Sequence, residues 1–316
     1  MACHRITITP LSPLGTDLVS GTLWGHLAWA VRYRDGEEGL SRWLREQQES
    51  PWLLSSFMPA GMLPRPLLKP SPDNRAGLTL MEMRKEKETK NERFISEELF
   101  LRLRKNLNET TLKEGLQKER EKAGASRKAQ WREPELRAHN RIDRLTGSTP
   151  ETAGLYFEQS RFFDRESSLQ GFVFTSEPSL EKLKALFDFI GGSGGFGANA
   201  STGNGQFQTL IAEETALFES AGNRAMSMSH GVLTDNMGLV RYKQHAHFGK
   251  LGGHFATGAF SPFKYPILMM RPGATFTPTG KGPFGRLLSE VHHDPALAGV
   301  RHHALHLPVF FTETEP

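Results

Sequence analysis

The sequence predicts an α+β protein. Three observations predict it: short runs that alternate apolar and polar residues, two segments with an apolar face at helical spacing, and the order in which these follow one another. With 37% hydrophobic and 23% charged residues in 316, the chain can bury one large core or two ordinary ones.

HRITIT, His4–Thr9, alternates around Ile6 and Ile8 and predicts a strand. In SGTLWGHLAWAVRYR, Ser20 is the expected N-cap, and Leu23, Trp24, Leu27, Ala28 and Val31 share one helical face. A second helix is expected over Glu37–Gln48, and the proline-rich run Pro51–Pro72 as an ordered irregular segment on the core. A charged stretch then begins near Met81. Its best helix is Ser96–Lys105, with Glu97 and Glu98 in the first turn and Arg102, Arg104 and Lys105 in the last. Residues Asn108–Glu133 have few apolar anchors besides Leu112, Leu116 and Trp131, so a mobile or partner-ordered segment is expected there.

Order returns with two strands, Gly154–Phe163 and Leu169–Thr175, joined by a polar turn. A helix follows, with Leu180, Leu183, Phe187 and Ile190 on one face and Gly191 and Gly192 at its end. Gln206–Ile211 is strand-like again. With the charged insertion, about 73–150, set aside, the order is strand, helix, strand, strand, helix, strand. That is the ferredoxin-like pattern, shared with the RNA recognition motif. Residues 1–215 form this first domain. Residues 216–316, with strand-like runs at Tyr265–Met270 and His303–Phe311, read as a second, irregular β-rich domain.

Several function classes are excluded or weakened. The only cysteine is Cys3, so an intrachain disulfide is impossible and a thiolate zinc site disfavoured. No run approaches the roughly 18 apolar residues of a membrane helix, and the N-terminus has no apolar signal core; a cytoplasmic protein without membrane contact is expected. No G-x-S-x-G elbow, H-E-x-x-H or paired-carboxylate motif is present. The paired histidines His245 and His247 would share a strand face, but acidic or thiol partners are not close in sequence, so no metal and no cofactor are expected.

Three features point to a polyanion. Between Met81 and Arg144 there are 18 Lys/Arg against 13 Asp/Glu, a surplus of five in a chain whose formal charge is +4; a solvated helical insertion would look the same. In Arg137–Thr149, the residues Arg137, His139, Arg141 and Arg144 and the turn at Thr146 fit a phosphate track, or equally a hinge in which Asp143 pairs with an arginine. Gly191–Phe207, GGSGGFGANASTGNGQF, carries seven glycines between a helix and a strand. It lacks the Gly-Lys-Ser/Thr of a nucleotide loop and has the wrong flanks for a dinucleotide fingerprint. It reads as a plain connection or as a cradle of backbone amides for a nucleic-acid strand.

Together SGTLWGHLAWAVRYRDGEE, LLSSFMPAGMLPRPLLKP, RFISEELF, HNRIDRLTGSTPETAGLYF, GGFGANASTGNGQF and KYPILMMRPGATF resemble, in order, the Csm-type, Cas-five-like RAMP subunits of type III-A CRISPR interference complexes. The resemblance spans most of the chain outside the charged middle. It implies two ferredoxin-like domains and a non-catalytic subunit at the foot of the complex. Such a subunit holds the 5′ tag of the CRISPR RNA (crRNA), contacts the large polymerase/cyclase subunit and the backbone RAMP subunit, and projects a thumb against the RNA.

On this resemblance the RNA-binding residues are those of the first helix, Ser20, Gly21, Thr22 and His26, and those of the loop, Gly194, Gly195, Phe196, Gly197, Ser201, Thr202 and Gly203. Phe196 would anchor the loop or stack on a base. Relatives often carry lysines in this loop where Ala198 and Asn204 stand, so Arg141, Arg144, Lys243 and Lys264 are expected to supply charge. Arg127, Lys128 and Trp131 are expected thumb contacts, beside His139 and Thr146. Replacing Gly195 and Gly197 by Asp is expected to weaken RNA retention without unfolding. The alternatives are a metal-independent repeat-cleaving endoribonuclease using His26 or His139, and a protein–protein adaptor.

Overall fold

The computed structural model describes the chain except residues 1, 72–78, 124–132, 153, 176–179, 215, 220, 257–260 and 316. It is a mixed α and β fold with several small antiparallel sheets. The elements are β1 (Ala2–Pro10), α1 (Ser20–Glu49), β2 (Leu53–Leu54), β3 (Met58–Pro59), β4 (Met62–Pro64), α2 (Leu80–Asn91), β5 (Phe94–Ser96), α3 (Glu97–Leu103), α4 (Glu109–Ala123), β6 (Glu135–Asn140), β7 (Leu155–Ser160), β8 (Leu169–Thr175), α5 (Leu180–Asp188) and β9 (Phe207–Glu213). There follow β10 (Arg224–Ser227), β11 (Met237–Arg241), β12 (Gln244–His247), β13 (Ile267–Met270), β14 (Thr275–Pro278), β15 (Phe284–Leu288), β16 (His302–His306) and β17 (Pro308–Phe311).

The main sheet has β1 between β8 and β9, all antiparallel, with β2 and β3 along the far side of β8. The alternation in β1 decides which residues go in: Ile6 and Ile8 are fully buried against Leu23 and Leu27 of α1 and Leu183 and Phe187 of α5. On the opposite face Arg5 bonds Glu97 and Glu214, beside a second core in which Phe172 joins Leu99 and Phe100 of α3 and Leu112 and Leu116 of α4.

Several expectations need correction. Gly154–Phe163 was expected beside Leu169–Thr175 in the main sheet; instead β7 pairs with β6 as a separate two-stranded ribbon. The place beside β8 is taken by β2 and β3 from the proline-rich segment. The two expected N-terminal helices are both present: they run on from one another as α1 and are separated by a break at Gly36, where φ is +76°. The N-cap of α1 is Val19, and Ser20 is its first residue. Residues 109–123 are not loose: Leu112 and Leu116, one turn apart, are fully buried and hold α4 on α3. The helix expected over Ser96–Lys105 is α3, and Ser96 is its N-cap, accepting from Leu99 N at 3.0 Å. The run His303–Phe311 splits between two sheets, β16 on β15 and β17 on β10.

The second sheet runs β11-β14-β10-β17. β16 crosses to the first half and lies on α1. A Cβ on Gly21 would stand 2.7 Å from His303 O, so only glycine permits this approach. His303 Nε2 donates to Trp52 O at 2.9 Å.

Candidate nucleic-acid interface

The segment from Pro13 to Ser20, between β1 and α1, is where the predicted features meet. Leu14 exchanges two backbone bonds with Arg161 at the foot of the β6–β7 ribbon, at 3.0 and 2.9 Å. Arg161 is almost fully buried and its guanidinium grips Asp17 at 3.0 Å. On the other side, Gly205 N donates to Pro13 O at 2.8 Å and Ala198 N to Thr16 Oγ1 at 3.0 Å. The segment therefore carries the ribbon on one flank and the glycine loop on the other, and it leads into the first turn of α1.

The glycine loop is closed on itself. Phe196 N donates to Gly205 O, Gly197 N to His26 Nε2 at 3.2 Å, and Thr202 N and Asn204 N to Asn199 O. Gly195, Gly197, Gly203 and Gly205 have positive φ. A Cβ on Gly205 would stand 2.1 Å from Phe196 O, on Gly197 2.6 Å from Thr16 Cβ, and on Gly195 2.6 Å from Asn204 O. The glycines thus serve the loop's own packing, and the open amide cradle expected from composition is not formed by these donors. It also follows that Asp at Gly195 and Gly197 strains the fold. Phe196 is fully buried and rests on the His26 ring at 4.5 Å, so it anchors the loop. Burial pushes the His26 pKa down to about 4. Ser201, Thr202 and Gly203 lie exposed on the loop's outer turn, and Gly194 is exposed just before the loop.

The ribbon is the reverse case. Both of its faces meet solvent: Leu136, Leu155 and Phe157 are exposed, as are Ile142 and Leu145 at the tip. His139 stacks on Tyr156 at 5.4 Å and Arg137 lies over Phe162 at 3.9 Å. Asp143 does not pair with an arginine in the tip. Its carboxylate accepts from Leu145 N and Thr146 N and builds the turn, with Gly147 at φ +66°. Arg141 and Arg144 stay exposed, beside the Thr146 hydroxyl bonded to Ser148. A two-stranded ribbon this open is marginal in water on its own.

Beyond Asp17–Val19 opens a cleft of about 990 Å³ between the first half, the insertion and the second half. Its floor is apolar, with Phe57, Pro64, Leu67 and Phe94; Lys243, Arg271, His230 and His245 line the wall from the second half. Lys243 is exposed. Arg65 is held by Glu109 at 2.7 Å.

The predicted residues therefore divide. Arg141, Arg144, Thr146, Ser201, Thr202, Gly203, Gly194 and Lys243 are open to solvent, and Thr22, His26, His139, Gly197 and Lys264 partly so. Ser20, Gly21, Gly195 and Phe196 are buried. The Ser20 hydroxyl donates to His230 O and Gly21 lies under β16, so these two join the halves and cannot touch RNA in this state. Lys264 donates to Arg301 O at 3.1 Å, and burial draws its pKa to about 8. Arg127, Lys128 and Trp131 lie outside the described residues. Sequence reasoning missed the ribbon's apolar residues and the cleft. The alternation of Tyr156 and Glu158, opposite His139 and Arg137, was a usable signal for the ribbon; the cleft, assembled from three distant segments, left none.

No family model and no curated protein matches the sequence. Solved structures do match it. A chain of a Csm1–Csm4 cassette in complex with cA4 superposes with a TM-score of 0.60 at 14% identity, over 99% of this chain and 100% of that one. A chain of the cassette in complex with pppApA gives 0.59 at 13% identity, over 100% of both. A chain of the Csm3–Csm4 subcomplex of the type III-A CRISPR-Cas interference complex gives 0.58 at 13%, over 98% and 99%. Csm4 is the component these assemblies share. The chain has a Csm4-like fold. The Csm4-like match runs through both halves, so the small C-terminal sheets belong to the same fold as the main sheet. Among the described residues no helix is long and apolar enough to cross a membrane, and no group of three or more His, Cys, Asp or Glu is placed to hold a metal.

Proposed function

We propose that the chain is a non-catalytic RNA-binding subunit of a type III-A CRISPR effector complex. In this reading it works in the cytoplasm, holds the 5′ tag of the crRNA at the foot of the complex, and bridges a large polymerase/cyclase subunit to a backbone RAMP subunit. Two ferredoxin-like domains, 1–215 and 216–316, would carry it; the β9-β1-β8-β2 order supports that reading of the first.

The observation that carries the proposal is the ribbon with its foot. Arg141 and Arg144 project on an arm that buries almost nothing of its own, and the arm is riveted at Leu14 and Asp17 to the glycine loop and to α1. An arm that presents cations, a stacked His139–Tyr156 pair and bare apolar side chains suits a single strand, whose phosphates meet the cations and whose bases stack. The full-length likeness to chains of Csm1–Csm4 and Csm3–Csm4 assemblies supplies the partners in this reading. No general base is offered at His26, which accepts the Gly197 amide beneath Phe196.

The test is a tagged pull-down from cells that carry the neighbouring genes and a repeat array, with the 5′ ends of co-purified RNA sequenced. The expected result is short RNAs sharing one repeat-derived 5′ tag, together with other subunits. Heterogeneous RNA or none would reject the proposal. Incubation with unprocessed repeat RNA without metal is expected to give no site-specific cut.

A further inference from the structure

The histidines of the second half form a row that the proposed function leaves unused. His230 and His245 line the cleft, with ring centroids 4.7 Å apart. His247, on the same face of β12, lies 5.9 Å from His245, and His302 of β16 lies 4.9 Å behind His247. The groups that act directly on the row are neutral or cationic, while the cleft's other residues include four carboxylates, Asp17, Glu92, Glu109 and Glu114, of which the first three are paired with Arg161, Arg120 and Arg65. The Ser56 hydroxyl sits 2.8 Å from His230 Nδ1, and Ser20 bonds the His230 backbone from α1. Arg271 acts on His230 and His245, Lys264 on His247 and His302, and His303 and His306 close the row from β16. No carboxylate acts on any of the four rings among these groups. Burial first, and then these cations and neighbouring rings, holds the row below the ordinary histidine range.

Imidazoles without a carboxylate, facing a cleft that also presents Lys243 and Arg271, are arranged for an anion. We propose that the cleft seats an RNA phosphodiester against Lys243 and Arg271, and that its binding places a proton from solvent on the His230–His245 pair. This inference rests on the RNA-binding reading above. The phosphate brings the missing negative charge, which favours the imidazolium. No bond to phosphorus is made or broken; one N–H bond forms, and the proton's charge is offset by the phosphate. By linkage, a proton gained on binding makes affinity rise as pH falls.

The test uses the full chain and a labelled single-stranded RNA oligonucleotide, with affinity measured by fluorescence anisotropy at fixed ionic strength. Binding is expected to be about tenfold tighter at pH 6 than at pH 8. His245→Gln is expected to flatten that dependence to less than about twofold, whereas His293→Gln, at an exposed ring that lines neither the cleft nor the ribbon, leaves it in place. Calorimetry of the unaltered chain in buffers of different ionisation enthalpy counts the proton directly, independent of any variant's folding. Binding that is insensitive to pH, with no proton taken up, overturns the inference and leaves RNA binding standing. An unchanged slope in His245→Gln also overturns it. No binding at any pH overturns both readings together.

Discussion

The glycine loop and the β6–β7 ribbon flank the same short segment, yet they have opposite characters. The loop, richest in the residues that free a backbone for ligands, uses its amides on Asn199, Pro13, Thr16 and His26 and buries Phe196 beneath itself. The ribbon, which reads as an ordinary amphipathic strand, buries little and leaves its cations and apolar residues open. Glycine content thus reports where backbone must pass close to other atoms, which a ligand or the protein itself can supply. Here the protein supplies it. Exposed apolar surface without a partner is the stronger functional signal.

The largest effect is expected at Gly205. Gly205→Ala puts a Cβ 2.1 Å from Phe196 O at φ +77°, and we expect a loss of about 3 kcal/mol or more in urea unfolding. A change near zero would mean the loop is open and free to yield. Next in size, Arg141→Glu with Arg144→Glu on the ribbon is expected to weaken single-stranded RNA binding at least tenfold. The salt slope should fall by about 1.4, and stability should move by less than about 0.5 kcal/mol.

A third effect separates the two regions by pH. His26 accepts the Gly197 amide only while that nitrogen is unprotonated, and its pKa in the fold is about 4. Its contribution is therefore complete above the unfolded value near 6.5 and is lost as pH falls from there towards 4. Hydrogen exchange, corrected for intrinsic rates, should show the amides of 196–205 losing protection between pH 7.5 and pH 5, with the ribbon tip unprotected at both. Equal protection at both values would remove His26 from the lock. The smallest effect is expected at the loop's exposed turn, where Ser201→Ala should change stability by less than about 0.5 kcal/mol.

Much of this architecture was legible in the sequence. The alternation around Ile6 and Ile8, the Leu23–Leu27 face and the short helix that begins at Glu97 all appear where local pattern places them, because each depends on neighbours within a turn or two. The errors share one cause: they needed a distant partner. Nothing local says that Leu53–Leu54 will occupy the edge of β8, that Gly21 will lie under His303, or that Leu112 and Leu116 will find Leu99. The loop was misread for the same reason, since its amides bond to Pro13 and His26, far away in the chain. At the site, the cations of the ribbon were legible from spacing. The cleft, drawn from residues as distant as Asp17 and Arg271, was not.

The ribbon, rather than the glycine loop, is expected to carry the RNA. Ultraviolet cross-linking of the full chain to a single-stranded RNA carrying the repeat-derived 5′ sequence, with cross-linked peptides mapped by mass spectrometry, tests it most directly. The account predicts adducts on peptides spanning 135–160, with Tyr156 and Phe157 the foremost sites. Adducts confined to 194–205, with none on the ribbon, would contradict it.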